Sequence, residues 1–357
     1  MLIASGKEAL FMNKKNVSGK KQPARRTLLQ RVTLGLYIVA VAMSLLVVIA
    51  FVTLKLYAPP PKVSGQVELP LTTDRLPEQS PGVTNDPTVT DPPPETLVLN
   101  RRAGVYTCLL LGVADQGGSD TIMLGVFDTE GKTASLVSIP RDTAVRYNGA
   151  NVKLNAVYSY SGVNAVSRCM SEMLAVPIDF YVTVNFRAFQ KIVDEIGGVW
   201  FTVPKGIDYD DPSQKLHIHL TPGYQKLNGE DALKLVRCRN AYASQDIGRA
   251  ATQRAFLAAL VKQTVTLSNV INPDKVTNLI NILNTYVKTD MSVNDMVFFG
   301  TQAVGMDLDT ALTSAVLSTN WISPYIVPSE AEVLRLVNSL GIYEEEVPAE
   351  VLQLAHP

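Results

Sequence analysis

The chain has 357 residues, 46% of them hydrophobic, with 32 basic and 33 acidic side chains and a net charge of −1. That length suffices for a membrane anchor plus a domain with a substantial core. The charge balance excludes a whole-molecule nucleic-acid binder, and three cysteines far apart in sequence (Cys108, Cys169, Cys238) exclude a disulfide scaffold.

Residues 1–31 crowd Lys7, Lys14, Lys15, Lys20, Lys21, Arg25, Arg26 and Arg31 against a single acid, Glu8. This predicts a disordered basic tail. Residues 32–56 follow, and their stretch Val32–Leu54 carries no charge. At 1.5 Å per residue it is long enough for one transmembrane helix. The basic flank before it predicts a cytoplasmic N-terminus, with all that follows outside the cell. Residues 57–100 are rich in proline and predict a semi-rigid extracellular spacer unable to bury a core.

From residue 101 to 340 the pattern is that of a domain, with its clearest part at 106–260 and a C-terminal tail at 341–357. Apolar runs predict strands at Thr107–Leu111, Thr121–Phe127, Thr133–Ile139, in IDFYVTVNF after Pro177, and at Val199–Val203. Helical spacing covers Gly162–Leu174 and Phe186–Ile196, the latter stopped by Gly197-Gly198. Alternation of the two, with strands apolar on both faces, predicts an α/β fold: a three-layer α-β-α sandwich around a central mixed sheet. The run Asp208-Tyr209-Asp210-Asp211 reads as a loop without calcium-loop spacing. Residues 261–340 read as mainly helical, with Pro324 and Pro328 bracketing Tyr-Ile-Val and a last helix beginning at Glu330.

Chemistry concentrates in Leu227–Leu260. Asn228 with Asp231 is an N-cap signature, opening a helix that ends near Arg237. Arg237 and Arg239 are two apart, so an extended backbone would aim both guanidinium groups the same way. Asp246, Arg249 and Gln253 stand at i, i+3 and i+7, one stripe of a second helix. Convergence of the two would give an arginine-rich pocket for a diphosphate. The rival reading is a solvated helix face with an ordinary Asp246–Arg249 pair. Cys238 lies between two arginines, but no histidine stands in a triad-like context for a nucleophilic role. Loops at the strand ends add Asp120, Asp115 and Arg141, and hard carboxylates with phosphate oxygens suit Mg²⁺. Taken singly, Asp120 would cap a strand turn and Arg141 would pair with Asp142.

The ordered motifs LLLG, SDTIML, SIPRDT, KLNAVYSY, FYVTVNF, FQKIVDEIGGV, LNGEDAL, LVRCR and QDIGR resemble those of LytR-CpsA-Psr proteins, which are membrane-anchored cell-wall ligases. The resemblance covers residues 106–260 closely and the stretch to about 340 more loosely. It implies transfer of an anionic glycopolymer, such as teichoic acid, from a polyprenyl diphosphate carrier to a peptidoglycan hydroxyl, with the lipid tail in an apolar tunnel under the sheet. It also implies Mg²⁺ (or Mn²⁺) on Asp120, with Asp115 a second ligand, and diphosphate contacts from Arg141, Arg237, Arg239, Arg249 and Gln253. Catalytic roles fall to Asp120, Asp246 and Arg141, and the base is Asp120, Asp246 or a metal-bound hydroxide. Two departures from the family pattern stand out: Gly118-Ser119 before Asp120 in a short loop, and Thr252 where a second arginine is usual. Arg254, turned by about 100° on the helix, is expected to be mostly solvated. A non-catalytic sensor of lipid-linked precursors and a polyprenyl diphosphate hydrolase are the alternatives. No nucleic-acid partner is expected.

Overall fold

The computed structural model describes residues 58–71, 96–114, 117–204, 206–211, 216–238, 246–264, 273–304 and 306–357. The basic tail and the uncharged run at 32–56 lie outside the described residues. Among those described, no helix is long and apolar enough to cross a membrane.

The first elements already depart from the expected spacer. Strands β1 (Gln66–Pro70) and β2 (Thr96–Asn100) pair antiparallel, and Leu69 and Leu99 are buried in the main core. Proline is tolerated at the end of β1, where it interrupts no interior ladder. So parts of 57–100 belong to the folded domain.

Three long strands follow as expected: β3 (Val105–Val113) and β4 (Ser119–Asp128) are longer than their apolar runs, and β5 (Thr133–Ile139) matches its run. A short hairpin, β6 (Ala144–Tyr147) with β7 (Ala150–Lys153), leads into helix α1 (Leu154–Leu174). The helix starts eight residues before the expected Gly162 because Leu154 and Val157 are fully buried. Gly162 instead sits inside it with φ 72° and ψ −166°, a backbone conformation open to glycine, and breaks its run.

Strand β8 (Phe180–Asn185) runs parallel to β3, and Asn185 then caps helix α2 (Phe186–Glu195), its side chain accepting from the Ala188 amide. Strand β9 (Val199–Val203) is followed by β10 (Ile207–Asp211), β11 (Leu216–Leu220) and β12 (Gly223–Leu227). The acidic run is therefore a strand and not a loop. Asp208 and Asp210 stand opposite His219 and His217, and each accepts or shares a hydrogen bond with the facing imidazole at 2.6 and 2.5 Å. That pairing was hidden because each partner looks polar and loop-like alone.

Helices α3 (Gly229–Arg237), α4 (Asp246–Thr264) and α5 (Pro273–Tyr286) come next. The remaining stretch is less helical than its composition predicts. Strand β13 (Val287–Thr289), helix α6 (Val293–Ala303), a single turn α7 (Leu308–Ala311), strands β14 (Leu312–Val316), β15 (Thr319–Ile322) and β16 (Tyr325–Pro328) precede α8 (Glu330–Ser339).

Among the described residues the central sheet has the order β13-β8-β3-β4-β5-β14. It is mixed: β3–β4 and β4–β5 are antiparallel, while β3–β8 and β5–β14 are parallel. Strand alternation sorts its two faces. Leu109, Leu111, Ile122, Leu124 and Val137 pack with α1 in the main core. Leu110, Met123, Val182 and Val184 point to the other side, which α2, α3, α4 and α5 cover. At the sheet's lower end Arg101 is fully buried and forms a two-pronged ion pair with Asp179, one prong at 2.6 Å. Asp179 also accepts from the Thr107 amide at 2.7 Å and Arg101 Nη2 donates to the Val105 carbonyl at 2.7 Å, while Arg101 Nε is buried without a hydrogen bond. Residues 342–354 do not trail off: Ile342, Tyr343, Val347 and Leu352 are buried in the same core.

Candidate functional site

The cavity between the sheet and its second helical layer has a volume of about 600 Å³ and is the setting for the predicted chemistry. Two side-chain-to-backbone hydrogen bonds fix the helices that border it. Asp194 at the end of α2 accepts from the Gly229 amide at 2.8 Å, and Asn228 accepts from the Asp231 amide at 2.8 Å. A Cβ at Gly229 would lie 2.4 Å from the Gln190 carbonyl oxygen, so only glycine lets α3 approach α2 this closely. The motifs ending α2 and beginning α3 thus act as one joint.

That joint presents Leu233, Val236 and Arg237 to the cavity from α3, while α4 supplies Arg249, Gln253, Phe256 and Leu260. The helical stripe read from the sequence is real for Arg249 and Gln253. Gln253 spends an amide hydrogen on the Val236 carbonyl at 3.0 Å, clasping the two arginine-bearing helices together. Arg249 is only 6% exposed. The Arg237 guanidinium lies 4.5 Å from the centroid of the Phe186 ring, a cation–π contact that holds its plane.

Across the cavity mouth, Asp120 lines the wall from β4, where it is a strand residue and not a turn cap. Arg141 donates to Asp120 Oδ1 at 2.5 Å, while its contact with Asp142 is longer, 3.8 Å. Asp142 is taken instead by Lys153 at 3.2 Å. The loop carrying Arg141 is pinned from behind, because the Asn155 and Leu154 amides at the start of α1 donate to the Arg141 and Thr143 carbonyls at 3.0 and 2.9 Å.

The structure thus brings together Asp120, Arg237, Arg249 and Gln253 around one cavity, with Arg141 bonded to Asp120. Asp115 and Arg239 lie outside the described residues. Asp246 opens α4, and its side chain is likewise outside them. Among the described residues no group of three or more His, Cys, Asp and Glu is arranged for a metal. The Asp120 side chain is 42% exposed and bonded to Arg141, and a carboxylate joined by phosphate and water oxygens is the donor chemistry of Mg²⁺. The donor chemistry fits that ion.

One expectation changes, and two readings sharpen. Arg254 is not solvated: it is half-buried, its Nε and Nη1 are enclosed, and burial lowers its pKa. The turn of the helix that carries it away from the cavity carries it into packing. Thr252 does not face the site as an arginine would, for it is 6% exposed and its hydroxyl donates back to the Gly248 carbonyl at 3.1 Å. Cys238 is completely buried, in keeping with the absence of a nucleophilic role expected from the sequence.

The apolar wall was expected only through the family resemblance, and its residues were not named from the sequence. Phe186, Phe189 and Ile192 come from α2, Tyr209 from β10 and Leu283 from α5, three separate elements. Their only sequence signal was ordinary helical or strand spacing.

A model of the LytR_cpsA_psr family matches residues 82–336. The polyisoprenyl-teichoic acid–peptidoglycan teichoic acid transferase TagV of Bacillus subtilis is 33% identical over 192 residues, covering 50% of this chain and 49% of that protein. The chain spans 49 to 62% of the length of the first curated relatives it matches. The crystal structure of B. subtilis TagV superposes with a TM-score of 0.58 at 26% identity, covering 67% of this chain and 96% of that one. A structure of TagT bound to LI-WTA gives 0.55 at 25% identity, covering 67% and 90%.

Proposed function

The chain belongs to the LytR-CpsA-Psr family, and from that premise we propose that it transfers an anionic glycopolymer from a polyprenyl diphosphate carrier to peptidoglycan. The observation that carries this reading is the shape of the charge. A cavity of about 600 Å³, apolar along its length, ends at Asp120, Arg237, Arg249 and Gln253. A lipid tail and a diphosphate have that same division of polarity, and the relatives' names are those of enzymes acting on such a donor.

In this reading Arg237 and Arg249 hold the diphosphate, and Arg141 orients Asp120 through their hydrogen bond. Arg239 and Asp115 join them on the strength of the family pattern. An acceptor sugar hydroxyl attacks the phosphorus that bears the glycopolymer. The P–O bond to the lipid phosphate breaks, lipid monophosphate departs, and the hydroxyl proton passes to a carboxylate, Asp120 or Asp246. Fixed cations serve this reaction because charge shifts to the leaving phosphate as its bond breaks. Mg²⁺ (or Mn²⁺) on Asp120 would supply further neutralisation of the diphosphate. The three-layer sandwich, single transmembrane helix at 32–56, cytoplasmic N-terminus and external domain complete the proposal, placing the site on the outer side of the membrane where its acceptor is.

The test is incubation of the full chain with a lipid diphosphate-linked glycopolymer, Mg²⁺ and peptidoglycan glycan. The expected products are glycan carrying the polymer and one equivalent of lipid monophosphate. Free polymer phosphate without glycan attachment would replace the reading with hydrolysis. Tight binding with neither product would make the chain a sensor.

A further inference from the structure

The β9–β12 hairpin has an inner face that is conventional and an outer face that is not. Val199, Val203 and Leu227 point inward and are buried. Trp200 stands opposite Lys226, and Thr202 opposite Tyr224, so these four share the outer face. A solvated strand face is ordinarily polar. Here Trp200 is 47% and Tyr224 70% exposed, and their rings stack at 5.3 Å with 18° between planes.

This ledge is held firmly and sits against the cavity wall. The Trp200 amide donates to Gln263 Oε1 at 2.8 Å, and Gln263 Nε2 donates back to the Trp200 carbonyl at 2.9 Å. Phe201, pointing inward from the next position, meets the cavity-wall ring of Phe256 at 5.4 Å. Gln263 is fourteen residues beyond Arg249 on α4, about 21 Å along the axis. The ledge therefore lies at the apolar end of the cavity, away from the arginines.

We propose that this outer face, Trp200 and Tyr224 with Lys226, seats in the headgroup layer of an anionic bilayer, and that lipid tails pass between bilayer and cavity at this side. Indole and phenol rings favour that layer because each has an apolar body and a polar tip. An exposed lysine ammonium is drawn to anionic headgroups. Continuity with the cavity through Phe201 and Phe256 favours lipid over a sugar ligand, the other common partner of exposed aromatic rings. The inference rests on the reading of the cavity as a lipid site.

Trp200 and Trp321 are the two tryptophans, which makes the test direct. Trp321 lies on the β15–β16 hairpin, whose Ile326 amide donates to the Asp142 carbonyl beside the polar end of the site. The full chain is reconstituted into phosphatidylglycerol-containing vesicles as the Trp321→Phe and Trp200→Phe proteins. Lipids brominated just below the headgroup should quench Trp200 by about half and Trp321 by less than about a tenth, as interfacial rings require. Tyr224→Ser with Lys226→Glu should abolish most of the Trp200 quenching. An unquenched Trp200, or equal quenching of both tryptophans, overturns the proposal. A Trp200 emission shift with glycan fragments and no bromine quenching assigns the ledge to sugar and also overturns it. In the transfer assay, Trp200→Ser with Tyr224→Ser should slow a long-chain donor in vesicles by about tenfold and a short-chain soluble donor by less than about twofold, tail delivery being needed only for the first. If the unaltered protein uses neither donor, the transferase reading fails, while the quenching still decides the membrane contact.

Discussion

Replacing Arg249 by methionine keeps an unbranched stem against α3 and removes a guanidinium that is 6% exposed. Loss of one partner from a desolvated charge pair costs about 2–5 kcal/mol. Arg237 lines the same cavity and retains part of the phosphate attraction, so the lower end applies. At about 1.4 kcal/mol per factor of ten, binding of a polyprenyl diphosphate should weaken by roughly thirtyfold to a hundredfold. The assay is titration of a fluorescent lipid diphosphate into the detergent-solubilised chain at low and high salt. Screening should reduce the effect little, because salt acts weakly on buried charge. Arg335, whose side chain is 73% exposed in a surface pair with Glu332, is the control. Its change to methionine should leave binding within about twofold. A loss below threefold at Arg249, or equal losses at both positions, would refute the diphosphate assignment.

Asp120→Ala should weaken Mg²⁺-dependent donor binding more than Asp115→Ala does, without unfolding the domain; equal effects in a metal titration would reject Asp120 as the principal ligand. Asp179→Ala leaves Arg101 buried and unpaired, which costs about 3–5 kcal/mol. That should lower the melting temperature by roughly ten degrees in calorimetry while donor binding at low temperature persists. Burial pushes the Cys108 thiol from 9.0 up to about 12. A raised folded-state pKa means stability that is intact below pH 9 and is lost as pH climbs toward 12. Cys108→Ala should flatten that alkaline limb in denaturant titrations, and an unchanged limb would exclude the thiol as its cause. Ser18→Cys, in a background lacking the native cysteines, should resist an impermeant thiol reagent in intact cells; labelling there would reverse the predicted orientation.

Much of the sheet was legible because β3, β4 and β5 are continuous apolar runs punctuated by turns, and the periodicity is local. The edges were not. Strand β14 finds β5 across a long stretch of chain, Leu312 lying beside Ala134, and nothing in Leu-Thr-Ser-Ala-Val announces a partner. The β1–β2 pair hid in a proline-rich composition, since only its partner and the core beneath make Leu69 and Leu99 inward-facing. At the site, Arg249 and Gln253 were visible because a helix repeats every 3.6 residues. The clasp from Gln253 to Val236 and the burial of Arg254 were not, for both depend on how α3 and α4 cross. The cavity was legible only through the family resemblance. A wall assembled from several elements has no single stretch of sequence to speak for it.

The covering of β2 by residues 342–345 sets a clock. The Arg102 amide donates to the Ile342 carbonyl, the Glu344 amide donates to the Asn100 carbonyl, and Glu345 takes the Asn100 amide and side chain across a separation of 245 residues. A chain synthesised N-terminus first presents Leu99 long before that cover exists. At about 5–20 residues per second, the wait is roughly 12 to 50 s. Throughout it an apolar strand edge stands open to water and to other chains, a standing invitation to mispairing. Synthesis of this domain thus has a vulnerable interval written into its topology, and a chaperone bound at β2 before residues 342–345 emerge would act when it is most needed.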